Sequence, residues 1–507
     1  METTADGYSW TEAHGTKKGG FKCRGVVFPP ERRSSNSTVY DTIVIGAGYA
    51  GLAAARDLAT SKRSVLLLEA RDRVGGRTYT LEDEDGSGFL FEMGGTWVTH
   101  HFAYVLKEMT RYNMHQDMIV SQHPGYENDY YTLNIDGVKP RKLSHEEAGQ
   151  MLRHAWDTFV NVDGDMCRKI CPLPHIQLGN SRVDRKEVEK IDKKTCKERL
   201  DEIRNLLSTE EVGMLSSLLL IISGGTLEKF SLWDIIRSQA LLIHSSLNFA
   251  DIWSTYKLRE GQSALARRMF DEAADFGLEY MFNTQVTSIM DQTRDIGGYV
   301  KVTTSNNEVY TARRVICTIP LNVLKTIQFS PPLSAKRQEA INIGHINFMS
   351  KIHAVADGPG LASWHGSRFP GKLATGQGDG LTAQGDAHLV AFGGDERKNF
   401  TPELEPEKVV AAWNELHPMR IKKTVFHNWC TDPYSNGGPA WWPAEYMSKY
   451  QDELQSPFGA ISFASGDWAH GWRASIDGAL EQGSLCSIRV LRELNNSTKS
   501  HNRQTKL

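Results

Sequence analysis

Three glycines, Gly46, Gly48 and Gly51, stand between an apolar run, Ile43-Val44-Ile45, and an alanine-rich helical pattern, Leu52–Ala59. Glycines spaced G-x-G-x-x-G at a strand-to-helix junction suit a dinucleotide. Gly46 permits the tight turn. Gly48 lets the main chain approach a pyrophosphate, and Gly51 lets the helix pack close to the strand. The unpaired N–H groups of the first helical turn, around Tyr49 and Ala50, then face the phosphates. A second apolar run, Val65–Leu68, ends in Glu69, placed to accept hydrogen bonds from a ribose. The glycines alone would be a weak motif; strand, helix and acid in this order make it specific. Glu69 runs into Ala70-Arg71-Asp72-Arg73-Val74-Gly75-Gly76-Arg77. There Arg71 and Arg77 can neutralise pyrophosphate, and the glycine pair allows close backbone approach. By itself that loop reads equally as a solvated basic turn.

Other segments fit a flat ligand. Gly94-Gly95-Thr96-Trp97 has a glycine doublet where main chain must pass something planar. Phe463-Ala464-Ser465-Gly466-Asp467 is a strand ending at an acid, and Asp477-Gly478-Ala479 opens the last helix. A helix N-terminus carries about +0.5 charge and stabilises an electron-rich ring edge. Lys351 sits inside a strand pattern, Ser350–Val355. Alone, it reads equally as an exposed edge-strand lysine. HExxH and GxSxG are absent, and Cys167-x3-Cys171 lacks a second pair for zinc, so no metal is expected.

The chain has 507 residues, enough for two or three domains, and a net charge of −3 that points to neither nucleic acid nor an anionic membrane. Seven irregularly spaced cysteines read as reduced thiols of an intracellular protein. The N-terminus has no apolar core of a signal peptide, and the longest apolar run, Leu218–Ile222, is too short to span a bilayer. The chain ends in Thr505-Lys506-Leu507, close to the Ser-Lys-Leu peroxisomal address. Along the chain, residues 1–38 read as an irregular arm. A charged helix is expected around Lys186–Leu207 and an apolar one around Val212–Ile222. Strands are expected at Gly298–Thr304, Glu308–Tyr310 and Arg314–Pro320, with a last helix at Ile476–Leu494.

In combination these segments resemble the flavin-containing monoamine oxidases, especially those of filamentous fungi. The carriers are IVIGAGYAGL, LLLEARDRVGGRT, FEMGGTWV, ISGGTLE, GQSALARR, VICTIPLNVL, HNW and FASGDWAHGWRASIDGALEQG. The resemblance runs from about Tyr40 to about Leu494. It favours FAD over NAD and implies a mixed α/β and α+β protein. A Rossmann-like FAD-binding domain is assembled from residues 39–110, 255–330 and 430–495. A substrate-binding domain of mixed sheet and helices, residues 111–254 and 331–429, is inserted in it. Residues 496–507 form a polar tail bearing a signal for a peroxisomal import receptor.

The resemblance also assigns roles. Gly94, Gly95, Thr96 and Trp97 lie along the isoalloxazine ring, and Val286 contacts adenine through its backbone. Trp429 packs near the flavin, while Gly466 and Asp467 lie near pyrophosphate and ribityl. Ser475 and Ile476 open the last helix. Lys351 orients a water and supplies positive charge for O2 reduction. Trp441 is one ring of a two-ring slot for a neutral amine. The second ring position is Ser475, so half of the slot is missing, and Trp442 is one candidate to fill it. The serine removes about 150 Å² of contact surface and adds a hydroxyl, which suits a bulky or long-chain amine, as in fumonisin-type amine oxidases. Ala440 replaces the cysteine that carries flavin covalently in the mammalian enzymes, so FAD should be non-covalent. A peroxisomal homodimer converting a primary amine, O2 and water to aldehyde, ammonia and peroxide is the expectation. An FAD-dependent oxidative cyclase or desaturase is the alternative.

Overall fold

The computed structural model describes residues 2–33, 39–121, 123–173, 183–295, 298–394 and 400–504. The tripeptide Thr505-Lys506-Leu507 lies outside the described residues. Two sheets organise the molecule.

The first is built on five parallel strands. In spatial order they are Ile461–Phe463, Val309–Cys317, Tyr40–Ile45, Val65–Leu68 and Glu279–Met281. Val309–Cys317 is one continuous strand where the sequence suggested two segments. Its first half pairs antiparallel with Val300–Thr304, and its second half pairs with Ile461–Phe463. Ile43, Val44, Leu66, Leu67, Val315 and Ile316 are fully buried, as expected for parallel strands covered on both faces. The helix Tyr49–Thr60 lies between this sheet and the C-terminal helix Ile476–Gln504. Small side chains set the spacing of these layers. A Cβ on Gly51 would be driven into the Gly46 carbonyl, and one on Gly483 into the Ala50 carbonyl.

The second sheet is antiparallel except for one pair. Its order is Arg141–Leu143, Tyr131–Ile135, His365–Phe369, Thr375–Leu381, Ala387–Gly394, Met349–Ala356, Ile421–Phe426, Tyr8–Thr11 and Gly15–Lys18. The N-terminal segment is therefore not an irregular arm. Tyr8–Thr11 and Gly15–Lys18 extend this sheet, Thr3–Thr4 pairs with Phe21–Lys22, and Glu31–Arg32 adds an edge to the first sheet.

The charged segment around Lys186–Leu207 is not a single helix either. It breaks into Arg185–Lys193, Cys196–Glu202 and a short 3-10 turn, Arg204–Leu206. The cause is local: the Thr195 hydroxyl accepts from the Glu198 N–H while the Glu198 carboxylate accepts from the Thr195 N–H. That reciprocal capping box starts a new helix. The apolar helix runs Thr209–Ser223 and is capped the same way by Ser208 and Glu211. No helix among the described residues is long and apolar enough to cross a membrane.

The packing of the glycine face predicts that Gly483→Ala lowers stability by about 1–3 kcal/mol, the usual penalty for an extra methyl in a tight contact. Denaturant unfolding of the two proteins measures it.

Candidate active site

The carboxyl ends of the parallel strands open into one long cavity. Gly46, Gly48, Tyr49, Ala50, Glu69, Ala70, Arg71, Gly76, Arg77, Gly94, Gly95, Thr96, Trp97, Val286, Lys351, Trp429, Gly466, Asp467, Ser475 and Ile476 all line it. Gly51 and Trp441 do not. Gly51 acts one layer back, through the strand–helix contact described above.

At one end, Glu69 is buried at the tip of its strand. One carboxylate oxygen accepts from the Ala47 N–H and the other from the Arg71 N–H. Each oxygen keeps a lone pair for a ribose hydroxyl. Burial pushes this carboxyl up, and the two backbone N–H groups and Arg71 oppose the shift. The helix beside it begins at Gly48 with no side-chain cap and no acid in its first turn. Its leading N–H groups are therefore presented to an anion. Gly48 and Gly76 face each other so closely that a Cβ on Gly76 would lie 3.1 Å from the Gly48 Cα. Acid, uncapped helix and glycine cleft fit an adenine dinucleotide.

The two arginines are placed differently from expectation. The Arg71 guanidinium is buried between Asp432, at 2.6 and 2.8 Å, and Asp6, at 3.2 Å, with the Tyr434 ring 5.2 Å away. Its charge is matched by carboxylates of this chain, so it braces the loop and does not stand ready to neutralise pyrophosphate. Arg73 also binds Asp6, at 2.8 Å, and lies over the Tyr79 ring. His427 donates from Nε2 to the Asp432 carboxylate across 2.7 Å. Asp6, His427 and Asp432 could together approach a metal ion, but Arg71 and Arg73 already supply positive charge to that cluster. Burial pushes the Asp432 carboxyl up, and His427 and Arg71 overcome this to hold it far below the usual carboxylate range. Arg77 pairs with the buried Asp467 and donates to the Gly438 carbonyl at 2.9 Å. Asp467 also accepts from the Leu321 N–H at 2.8 Å.

At the other end lies Lys351. Met349–Ala356 is an interior strand of the second sheet, between Ala387–Gly394 and Ile421–Phe426, so Lys351 is no edge-strand lysine. Its ammonium is buried and meets three oxygens: the Glu92 carbonyl at 2.8 Å, the Gly94 carbonyl at 3.2 Å and the Thr96 hydroxyl. Three acceptors match the three donors of the protonated amine. The Trp97 ring centre is 5.1 Å from Nζ. Burial pulls the lysine down, and Glu92 opposes that shift. Burial likewise pushes the Glu92 carboxyl up against the pull of Lys351.

The Glu92 carbonyl also accepts from His353 Nε2 at 2.8 Å. His353 Nδ1 meets His388 Nε2 at 2.9 Å, His388 Nδ1 meets the Asp379 carbonyl at 3.2 Å, and Asp379 pairs with Lys257 at 2.7 Å. This buried polar file was not anticipated. The alternation Lys351-x-His353 is its one sequence sign, since residues two apart share a strand face. Asp6 and Asp432 were missed too, because their partners are distant in sequence.

Gly95 faces Ile476; a Cβ there would lie 3.5 Å from the isoleucine Cγ1. Ser475 donates to the Trp472 carbonyl at 2.6 Å and accepts from the Gly478 N–H at 3.2 Å. Its hydroxyl caps the last helix, so it is not an added polar contact for a ligand. Asp477 does not face the cavity: its carboxylate accepts from the Tyr104 and Val105 N–H groups. Trp441 stacks on Trp253, with ring centres 6.1 Å apart, and meets the Phe230 ring edge-on. That stack is why Trp441 stands behind the cavity wall. Trp442 cannot fill the missing ring position, because it is fully buried under Arg473 and Tyr446. All seven cysteines are buried, and none lines the cavity.

A family model described as flavin containing amine oxidoreductase matches residues 49–491. Nicotine dehydrogenase of Pseudomonas putida (strain DSM 28022 / S16) is 28% identical over 458 residues, covering 88% of this chain and 86% of that one. The flavin-containing amine oxidase B of Canis lupus familiaris is 26% identical over 481 residues, covering 89% and 86%. In fold, a triple mutant of putrescine oxidase superposes with a TM-score of 0.72 at 20% identity, covering 90% of this chain and 99% of that one. Cyclohexylamine oxidase from Brevibacterium oxydans IH-35A gives 0.72 at 18% identity, covering 90% and 100%. These relatives favour amine oxidation over the cyclase or desaturase alternative.

The bracing of Arg71 predicts that Asp432→Asn destabilises the protein by about 3 kcal/mol at neutral pH, the scale for removing one partner of a buried ion pair. The folded carboxyl is held low, so its stabilisation is present above the unfolded aspartate value of 3.8 and is lost only as pH falls through the lower folded value. Unfolding curves of wild type and variant should therefore keep a constant separation from about pH 8 to about pH 5 and converge only in stronger acid.

Proposed function

The chain belongs to the flavin-containing amine oxidoreductases, and from that premise we propose that it oxidises a primary amine with O2 and water to an aldehyde, ammonia and hydrogen peroxide. The observation that carries this reading is the buried Lys351 ammonium at the end of the cavity, beside Gly94-Gly95 and Trp97. Bound FAD would supply the two-electron chemistry, taking a hydride equivalent from the amine α-carbon and delivering the electrons to O2.

The residues divide the remaining work. Glu69 holds the ribose, and the Gly48–Ala50 turn and the Gly48–Gly76 cleft hold the pyrophosphate. Val286 borders the adenine. Gly94, Gly95, Thr96, Trp97 and Ile476 would border the ring, with Trp429 packed near it. Gly466 and Asp467 sit by the ribityl chain. Attachment is non-covalent: Ala440 stands where the mammalian enzymes have cysteine, and the cavity walls carry no thiol. Lys351 places positive charge beside the reacting atoms. It can orient a water by exchanging its longest bond, that to the Gly94 carbonyl.

Trp441 would face the amine once its stack with Trp253 opens, and the small Ser475 leaves room for a bulky or long-chain aliphatic substrate, as in the fumonisin-type enzymes. On the same reading the protein is of the filamentous-fungal kind, a homodimer, and is carried into peroxisomes by an import receptor that reads Thr505-Lys506-Leu507. A peroxisome suits an enzyme that makes peroxide.

Anaerobic titration of the purified protein tests this, following flavin absorbance with amines from short alkylamines through benzylamine to long-chain amino alcohols. Bleaching, with peroxide released on adding air and the long-chain amines most effective, is the expected result. A yellow protein that no amine bleaches would overturn the proposal. Lys351→Met should leave bleaching largely intact and slow reoxidation by air by about 100-fold, the scale of losing one well-placed electrostatic group. Stopped-flow traces of the two half-reactions separate these effects.

A further inference from the structure

The ring position left open by Ser475 has a neighbour that no sequence motif marks. Trp253 ends the short helix Phe249–Trp253. Its ring stacks on Trp441 at 6.1 Å and 25°, and meets Trp472 edge-on at 6.2 Å and 75°. Trp472 precedes Ser475 by three residues and accepts its hydroxyl. Trp253 thus lies between Trp441 and Trp472, and the closed stack keeps both Trp253 and Trp441 out of the cavity lining. Pro439, Ala474 and Ser475, close in sequence to Trp441 and Trp472, do line the cavity.

The two indoles differ in what holds them. Trp441 is 5% exposed, meets Phe230 edge-on, and its carbonyl accepts from the Ile346 N–H. Trp253 is half-buried on five residues of helix. A planar group between two rings needs about 3.5 Å on each face, more than the present separation allows. The slot as it stands is closed, and Trp253 is the ring that can yield.

Its indole N–H is also unusual. Nε1 is buried and has no hydrogen-bond partner among the described residues. A buried donor left unpaired is unfavourable, and a ligand oxygen that satisfies it is correspondingly preferred. Ser475 cannot serve, since its hydroxyl caps the helix.

We propose that Trp253 is the second wall of the amine slot and that its indole N–H selects amines carrying a hydrogen-bond acceptor, such as a hydroxyl or carbonyl oxygen. This rests on the reading of Trp441 as the amine-facing ring. It adds a specificity-determining residue from a different element, and a substrate class defined by its oxygen.

The test compares kcat/KM for matched pairs, an n-alkylamine and an amino alcohol of the same chain length, in wild type, Trp253→Phe and Trp253→Ala. Wild type should prefer the amino alcohol. Trp253→Phe keeps a ring but removes the N–H, and should lower the ratio of amino alcohol to alkylamine kcat/KM about tenfold, one neutral hydrogen bond. Trp253→Ala should raise KM for both. Flavin content and melting temperature check that each variant is folded, and Trp253→Phe suffices if the alanine variant is not. An unchanged ratio in Trp253→Phe, or an equal loss for both amines, overturns the inference while amine oxidation stands. A wild type that oxidises neither amine overturns both.

Discussion

One guanidinium joins three distant parts of this chain. Arg71 follows the buried acid Glu69, Asp6 comes from the N-terminal segment, and Asp432 comes from the segment after the second sheet. A buried arginine is tolerated only where carboxylates meet it. The turn from Glu69 to Arg77 therefore takes its shape with both the N-terminal segment and the segment around Asp432 docked on it. The Arg71 N–H fixes the Glu69 carboxylate, and the Gly75 N–H donates to the Ala47 carbonyl. The geometry of the nucleotide cleft thus depends on an ion pair outside the nucleotide fold proper.

The opposite end of the cavity uses another device. Lys351 is held by main-chain carbonyls and a threonine hydroxyl instead of a directly bonded carboxylate. The nearby acid, Glu92, is anchored elsewhere, by the Thr80 hydroxyl and the Gln262 N–H. Neutral oxygens hold the ammonium in place without cancelling its charge. A positive charge in a water-poor site acts over a longer range than one in solvent, and His353 shares the Glu92 carbonyl with the lysine.

Much of this was legible in the sequence because the motifs are local. The Gly46–Gly51 turn and the acid at Glu69 read correctly as a strand-turn-helix and the end of the next strand, since each is specified by residues a few positions apart. The N-terminal strands were not legible. Tyr8–Thr11 owes its conformation to a partner more than 400 residues away, and no local pattern announces such a partner. The charged helix was misjudged because propensity does not reveal a stop, while the Thr195–Glu198 capping box does. Arg71 looked available because its partners are remote. Ser475 looked like a vacancy with a hydroxyl to offer, but a serine at a helix start engages the backbone.

The pairing order of the first sheet sets a schedule for folding. Its central strand, Val309–Cys317, lies between Tyr40–Ile45 on one side and Ile461–Phe463 on the other. During synthesis the first of these neighbours leaves the ribosome some 420 residues before the second. The sheet cannot close until residues up to Phe463 have been made. A ribosome that stops early would release an exposed, half-paired strand and no partly working enzyme. Synthesis of Ile461–Phe463 is thus the event that completes the sheet on which the cavity is built.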